Sequence, residues 1–277
     1  MFDKIKSFIN KSSHKISEKT LCYESGALKY EGGIMDNEYH GQGKLYNEDG
    51  LLIYEGSYDH GKEHGNGKKR FENGDIYEGD FKNGVCTGTG TMYFANGDIY
   101  TGNFRDNLFE GKGKLTTIDG NVYEGHFLHN ELQGLGSPAE PNQVTYRDGV
   151  IYIGEFLDTV PTGSGQLITP DGEYAGQVQN GQPDGKGRFL GYNGLQYSGD
   201  FVEGQMTGRG VMTYPNGEVF IGDFKNGQKH GNGVYKSSDG NEYEVYFEYD
   251  ERMSAKRLTS PKKSLETNVE QKNTISL

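Results

Sequence analysis

From Tyr23 to Tyr249 the chain alternates between ring-bearing or glycine positions and polar ones. In Tyr77-Glu78-Gly79-Asp80-Phe81 the odd positions are aromatic or glycine and the even ones acidic. That period of two predicts a half-buried strand. Gly88, Gly90, Met92 and Phe94 then alternate with Thr89, Thr91 and Tyr93, which predicts a second strand. Lys82-Asn83-Gly84 turns the chain between them. Asn96-Gly97 closes the unit with a two-residue hairpin signal, since both residues tolerate positive φ. Each unit is thus two antiparallel strands and two turns.

The unit recurs. Its anchoring ring falls at Tyr30, Tyr54, Tyr77, Tyr100, Tyr123, Tyr152, Tyr174, Tyr197, Phe220 and Tyr243, at intervals of 22 to 24 residues apart from one of 29. A fixed period of this size means an array in which each unit packs chiefly on its neighbours. Glycine weakens a strand unless another group must approach closely. Gly79, Gly88 and Gly90 therefore read as hollows that seat rings, while Gly84 and Gly97 serve the turns. The long interval carries Ser137-Pro138-Ala139-Glu140-Pro141-Asn142-Gln143. Its two prolines cannot donate to a ladder, so an irregular loop is expected near 137–146.

The pattern Tyr-x-Gly-x-Phe-x-x-Gly-x-x-x-Gly-x-Gly at this period resembles the MORN (membrane occupation and recognition nexus) repeat. The resemblance covers about four-fifths of the chain. It implies an all-β fold, an elongated single-layer antiparallel β-meander of tandem hairpins of about 23 residues, with a long groove. Three segments follow: residues 1–19, residues 20–250 as the array, and 251–277 as a polar basic tail expected to be disordered.

Charge divides the chain in the same way. The net charge is −12, yet residues 1–19 and 251–277 carry +3 each, leaving −18 on the array. So acidic a body repels phosphate backbones and argues against nucleic acid. Phe2, Ile5, Ile9 and Ile16 fall near one face of a short helix, with Lys4, Lys6, Lys11 and Lys15 largely off it. Such a segment suits an anionic membrane surface, with Phe2, Lys4, Ile5, Lys6, Ile9 and Lys11 in contact. Cys22 and Cys86 form no disulfide framework. The expected location is cytoplasmic, with membrane association only through residues 1–19.

Chemistry is sparse. His40, His64 and His230 share one repeat position, immediately before a glycine. Equivalent positions lie two strands apart, about 9–10 Å, too far for neighbours to share a metal whose ligands sit about 2 Å from it. No metal or cofactor is expected. The abundant carboxylates recur in equivalent, solvated places, whereas a catalytic pair needs dissimilar surroundings. The chain therefore reads as a non-enzymatic scaffold holding a protein partner segment in an aromatic groove. Tyr77, Phe81, Tyr100, Phe104, Tyr123, Phe127, Tyr197, Phe201, Phe220 and Phe224 are the expected lining. A peripheral membrane organiser is the alternative, and an enzyme acting on a polymer in the groove a more distant one. Exposed terminal strands also admit a homodimer.

Overall fold

The computed structural model describes residues 15–258, and these fall into two units, described separately below. In the first, up to Asp184, seventeen strands follow the chain: β1 (Ser17–Cys22), β2 (Leu28–Met35), β3 (Glu38–Tyr46), β4 (Leu52–Asp59), β5 (Lys62–Arg70), β6 (Ile76–Lys82), β7 (Val85–Tyr93), β8 (Ile99–Arg105), β9 (Leu108–Thr116), β10 (Val122–Leu128), β11 (Glu131–Leu132), β12 (Gly136–Ser137), β13 (Glu140–Pro141), β14 (Gln143–Thr145), β15 (Ile151–Leu157), β16 (Val160–Thr169) and β17 (Gly172–Gln179). From β1 to β10 each strand pairs antiparallel with the next. The second unit continues the plan with β18 (Gln182–Gly191), β19 (Gln196–Val202), β20 (Gln205–Thr213), β21 (Val219–Lys225), β22 (Gln228–Lys236), β23 (Glu242–Glu248) and β24 (Glu251–Arg257).

Rings make the core of both units. Tyr77 and Tyr100 are fully buried, and so are Tyr30, Tyr54, Tyr152 and Phe220. The reason is local. The Tyr77 ring lies over paired Gly79 and Gly90, where a Cβ on Gly90 would come within 2.5 Å of it. The hydroxyl at the ring's far end then donates to the carbonyl three residues on: Tyr30 to Gly33, Tyr54 to Ser57, Tyr77 to Asp80, Tyr100 to Asn103, Tyr152 to Glu155, Tyr174 to Gln177 and Tyr197 to Asp200. Each tyrosine thereby buries a large apolar area and still satisfies its polar tip.

The two turns exchange the roles expected of them. The tight two-residue turn is Asn83-Gly84, both at positive φ (54° and 86°), and Asp36-Asn37 and Asp106-Asn107 repeat it. At the other end only Gly97 is left-handed, at 97°. Gly97 N–H donates to Phe94 O and Phe94 N–H to Asp98 O, giving a three-residue loop. Successive loops are tied together. Asp75 accepts from the Ala95 amide, Asp98 from that of Ile118 and Asn121 from that of Arg147.

Three other expectations need adjustment. Among the described residues there is no helix. Of the helix expected over residues 2–16, residues 2–14 lie outside those described, as do the membrane contacts expected of Phe2, Lys4, Ile5, Lys6, Ile9 and Lys11; Lys15 and Ile16 are not helical, and Ser17–Cys22 is a strand. The basic tail begins later than expected, because Glu251–Arg257 pairs with β23 as an exposed edge strand. The insertion is built as well. It divides one strand position into β11 and β14, both paired to β10, and lifts β12 and β13 out as a small hairpin.

Asn142 holds that junction and is fully buried. Its Oδ1 accepts from the His126 amide at 2.8 Å, and its Nδ2 donates to Gln133 O at 2.7 Å and Gly134 O at 3.1 Å. Asn142→Ala would strand these groups away from water, at a cost of about 1–3 kcal/mol for a buried unsatisfied partner. A lowered urea midpoint is the expected reading; an unchanged one would show that water replaces the amide.

Candidate docking groove

The ten residues expected to line an aromatic trough are brought together, but as core. Tyr77, Phe81, Tyr100, Phe104, Phe127, Tyr197, Phe201, Phe220 and Phe224 are all at most 5% exposed, and only Tyr123 is half-buried. Their rings fill the hollows at the glycines and pack on one another, which leaves no open trough on that face. Tyr77 meets Phe81 and Phe104 edge-on at 5.1 and 4.8 Å, and Tyr197 meets Phe201 and Phe224 at 5.1 and 4.9 Å. Phe109, which the sequence reading passed over, stacks on Tyr100 at 3.6 Å. Its signal was a ring nine residues after the anchor, on the same face.

An open groove runs along the opposite face of the first unit, where the polar positions that alternate with the rings and glycines point. Strand register carries one row straight across ten strands: Glu31, Lys44, Glu55, Lys68, Glu78, Thr91, Thr101, Lys114, Glu124 and Gln143. Acid and base alternate along much of it. Lys44 pairs with Glu55 at 3.1 Å, Lys68 with Glu78 at 3.1 Å and Lys114 with Glu124 at 2.9 Å, while the Thr91 and Thr101 hydroxyls share a hydrogen bond. Beside this row lie the facing glycines, so the floor is bare backbone. Sections of about 340, 830 and 630 Å³ follow one another over it. The small hairpin walls the last section, where Lys112 reaches Glu140 at 2.5 Å.

The electrostatics are those of paired, satisfied charge. The Lys114 ammonium hydrogen-bonded to Glu124 holds its carboxyl below the usual carboxylate range, helped by the Gln143 amide and opposed by partial burial. Lys112 lowers Glu140 in the same way. Burial pushes the Cys86 thiol up to about 11, which leaves it a poor nucleophile. In the second unit the corresponding row reads Arg188, Ser198, Val211, Ile221, Val234, Glu244 and Lys256. Its middle is apolar, and Val211 and Ile221 are exposed.

A family model for the MORN repeat matches residues 30–51, 54–76, 77–99, 100–122, 123–137, 152–173, 174–196, 197–219 and 220–242. The chain belongs to the MORN repeat family. The MORN boundaries coincide with the anchoring rings from Tyr30 to Phe220. The one truncated match, 123–137, stops where the inserted hairpin begins.

Among curated proteins, none matches this MORN chain. Among solved structures, it is similar to the TCP10 domain of Danio rerio CPAP at 11% identity and a TM-score of 0.40, covering 87% of this chain and all of that one. The same zebrafish domain bound to a peptide of STIL matches at 14% identity and a TM-score of 0.28, over 87% of this chain and all of that one. The SAS-4 TCP domain of Drosophila melanogaster, in complex with a proline-rich motif of Ana2, matches at 12% identity and a TM-score of 0.29, over 74% of this chain and 90% of that one. No functional assignment follows from likeness at this level.

Proposed function

We propose that the protein is a non-enzymatic scaffold that seats a partner protein segment on the face opposite its rings, along the glycine-floored groove of the first unit. The observation that carries this reading is the row of alternating acid and base beside exposed backbone. Such a row gives an extended segment both charge register and hydrogen-bonding groups. A partner bearing both signs of charge fits it better than a uniformly basic one. Membership of a repeat family supports the reading in general terms, because stacked repeats build extended binding surfaces. The titratable groups support the non-enzymatic reading. The carboxyls with resolved shifts among the described residues (Glu124, Glu140, Glu218 and Asp239) are all lowered by hydrogen bonds, the reverse of what a general acid requires.

Thr101→Trp tests the groove. Thr101 is exposed midway along the row, so an indole there occupies the trough without entering the core. A partner captured by the wild-type chain is expected to lose at least about tenfold in affinity, with the thermal midpoint unmoved. Equal affinity of the variant for that partner would remove the groove from the reading.

A further inference from the structure

Histidine recurs at one position of the repeat, and among the described residues only His40 falls in a cluster of three metal-binding side chains. His40 lies on β3, Asp59 is the last residue of β4, and His60 opens the turn from β4 to β5. One ligating atom from each of the three lies within 4.8 Å of the others. We propose that His40, Asp59 and His60 form a binding site for a divalent transition-metal ion of the zinc class, held by two imidazole nitrogens and one carboxylate.

The distances suit such an ion. Zinc takes nitrogen and carboxylate oxygen at about 2.0–2.2 Å, so tetrahedral ligand atoms stand about 3.3–3.6 Å apart. His40 Nδ1 is 3.4 Å from Asp59 Oδ1. His60 Nδ1 is closer to the same oxygen, at 2.8 Å, and must move outward by about half an ångström to share an ion. Its side chain is 66% exposed and free to do so. The donor set also selects the metal. Imidazole suits zinc, copper and nickel, whereas calcium and magnesium demand oxygen.

Two features mark the site as built. The turn is fixed on β3, because the Gly61 amide donates to Tyr39 O at 2.9 Å and His60 sits at positive φ, 47°. The buried Nδ1 of His40 has no hydrogen-bond partner, since its line to Asp59 is poorly aligned. His64 and His230 share both the repeat position and the unpartnered Nδ1. At His64 the two matching places hold Lys82 and Asn83; at His230 they hold Glu248 and Tyr249, so the second imidazole is missing and His230 packs against the Tyr249 ring at 4.6 Å. At Gln133 the same seam closes by an ordinary hydrogen bond to Asp158. Bound metal would clip the β4–β5 turn to β3, and the exposed side leaves a coordination position to water.

Titration of the full-length, chelator-treated chain with zinc chloride tests the site, with cobalt(II) absorption reporting ligand geometry. One equivalent is expected to bind and to raise the thermal midpoint. His60→Asn keeps a residue that accepts positive φ and removes the imidazole. It and His40→Gln should each weaken zinc by more than the roughly 10–100-fold that loss of an outer-shell partner costs. His64→Gln should bind as the wild type does. Zinc affinity unchanged in His60→Asn, or no binding by the wild type at millimolar zinc, overturns the proposal and leaves the three residues as a hydrogen-bonded turn.

Discussion

Tyr100→Ala is expected to unfold the hairpins around it. The ring is fully buried, stacked on Phe109 at 3.6 Å and edge-on to Phe104 and Phe127, each at 5.2 Å. Truncating an aromatic side chain in such a core costs about 3–5 kcal/mol, and in an array that loss falls on neighbouring units too. Circular dichroism in urea should show an early transition. Tyr100→Phe is the matched control. It deletes only the donor to Asn103 O at 3.1 Å, worth about 1 kcal/mol, and Phe220 already occupies this repeat position without a hydroxyl. An aromatic trough open to a partner would instead let Tyr100 and Phe104 be replaced together with the fold intact. An unshifted transition in Tyr100→Ala would restore that picture.

Alkali should be the array's weak point. Burial, first among the causes, pushes the phenols of Tyr30, Tyr152, Tyr174 and Tyr197 up to about 12, from an ordinary 10.0. Tyr54, Tyr77 and Tyr100 are raised further for the same reason. A phenol so raised keeps its proton in the fold after the unfolded chain would have lost it. Its contribution to stability is whole below pH 10 and drains away as pH climbs toward 12. Several such groups act together, so the urea midpoint should fall steeply between about pH 10 and pH 12. Phenolate absorbance should rise with unfolding and not ahead of it. A midpoint that stays level across this range would mean that the rings ionise within the folded array.

The hairpin architecture was legible because alternation, period and paired glycines all express the same packing. Tyr77 over Gly79 and Gly90 is the hollow the sequence implies. What alternation could not reveal was occupancy. A face of rings reads equally as a trough for a guest or as a core that fills itself, and the short reach from Tyr77 to its own glycines decides for the core. The turn assignment failed for a related reason. Asn-Gly suits either turn, and the strand twist places the paired positive φ at Asn83-Gly84 and leaves Asn96 out of it. Asn142 looked like part of an insertion, yet it lies opposite Gly125, where its amide serves three backbone groups. His40 was compared with its equivalents one period away. The residues it meets lie at the end of β4 and in the turn that follows, a neighbour set by cross-strand geometry that linear spacing does not display.

The ties between successive loops carry a consequence for the chain's history. Asp75 grips the loop one period ahead, Asp98 grips the next, and Asn121 does the same for its successor. Every handshake points the same way and uses the same two places in the unit. Excising one whole period would bring Asp75 opposite the amide Asp98 now holds, and the extra residues between Asn121 and Arg147 spare their tie because β12 and β13 carry them out as a separate hairpin. The row of ties thus grows in whole steps, as one adds or drops links in a chain, and any fraction of a step must leave as a hairpin of its own.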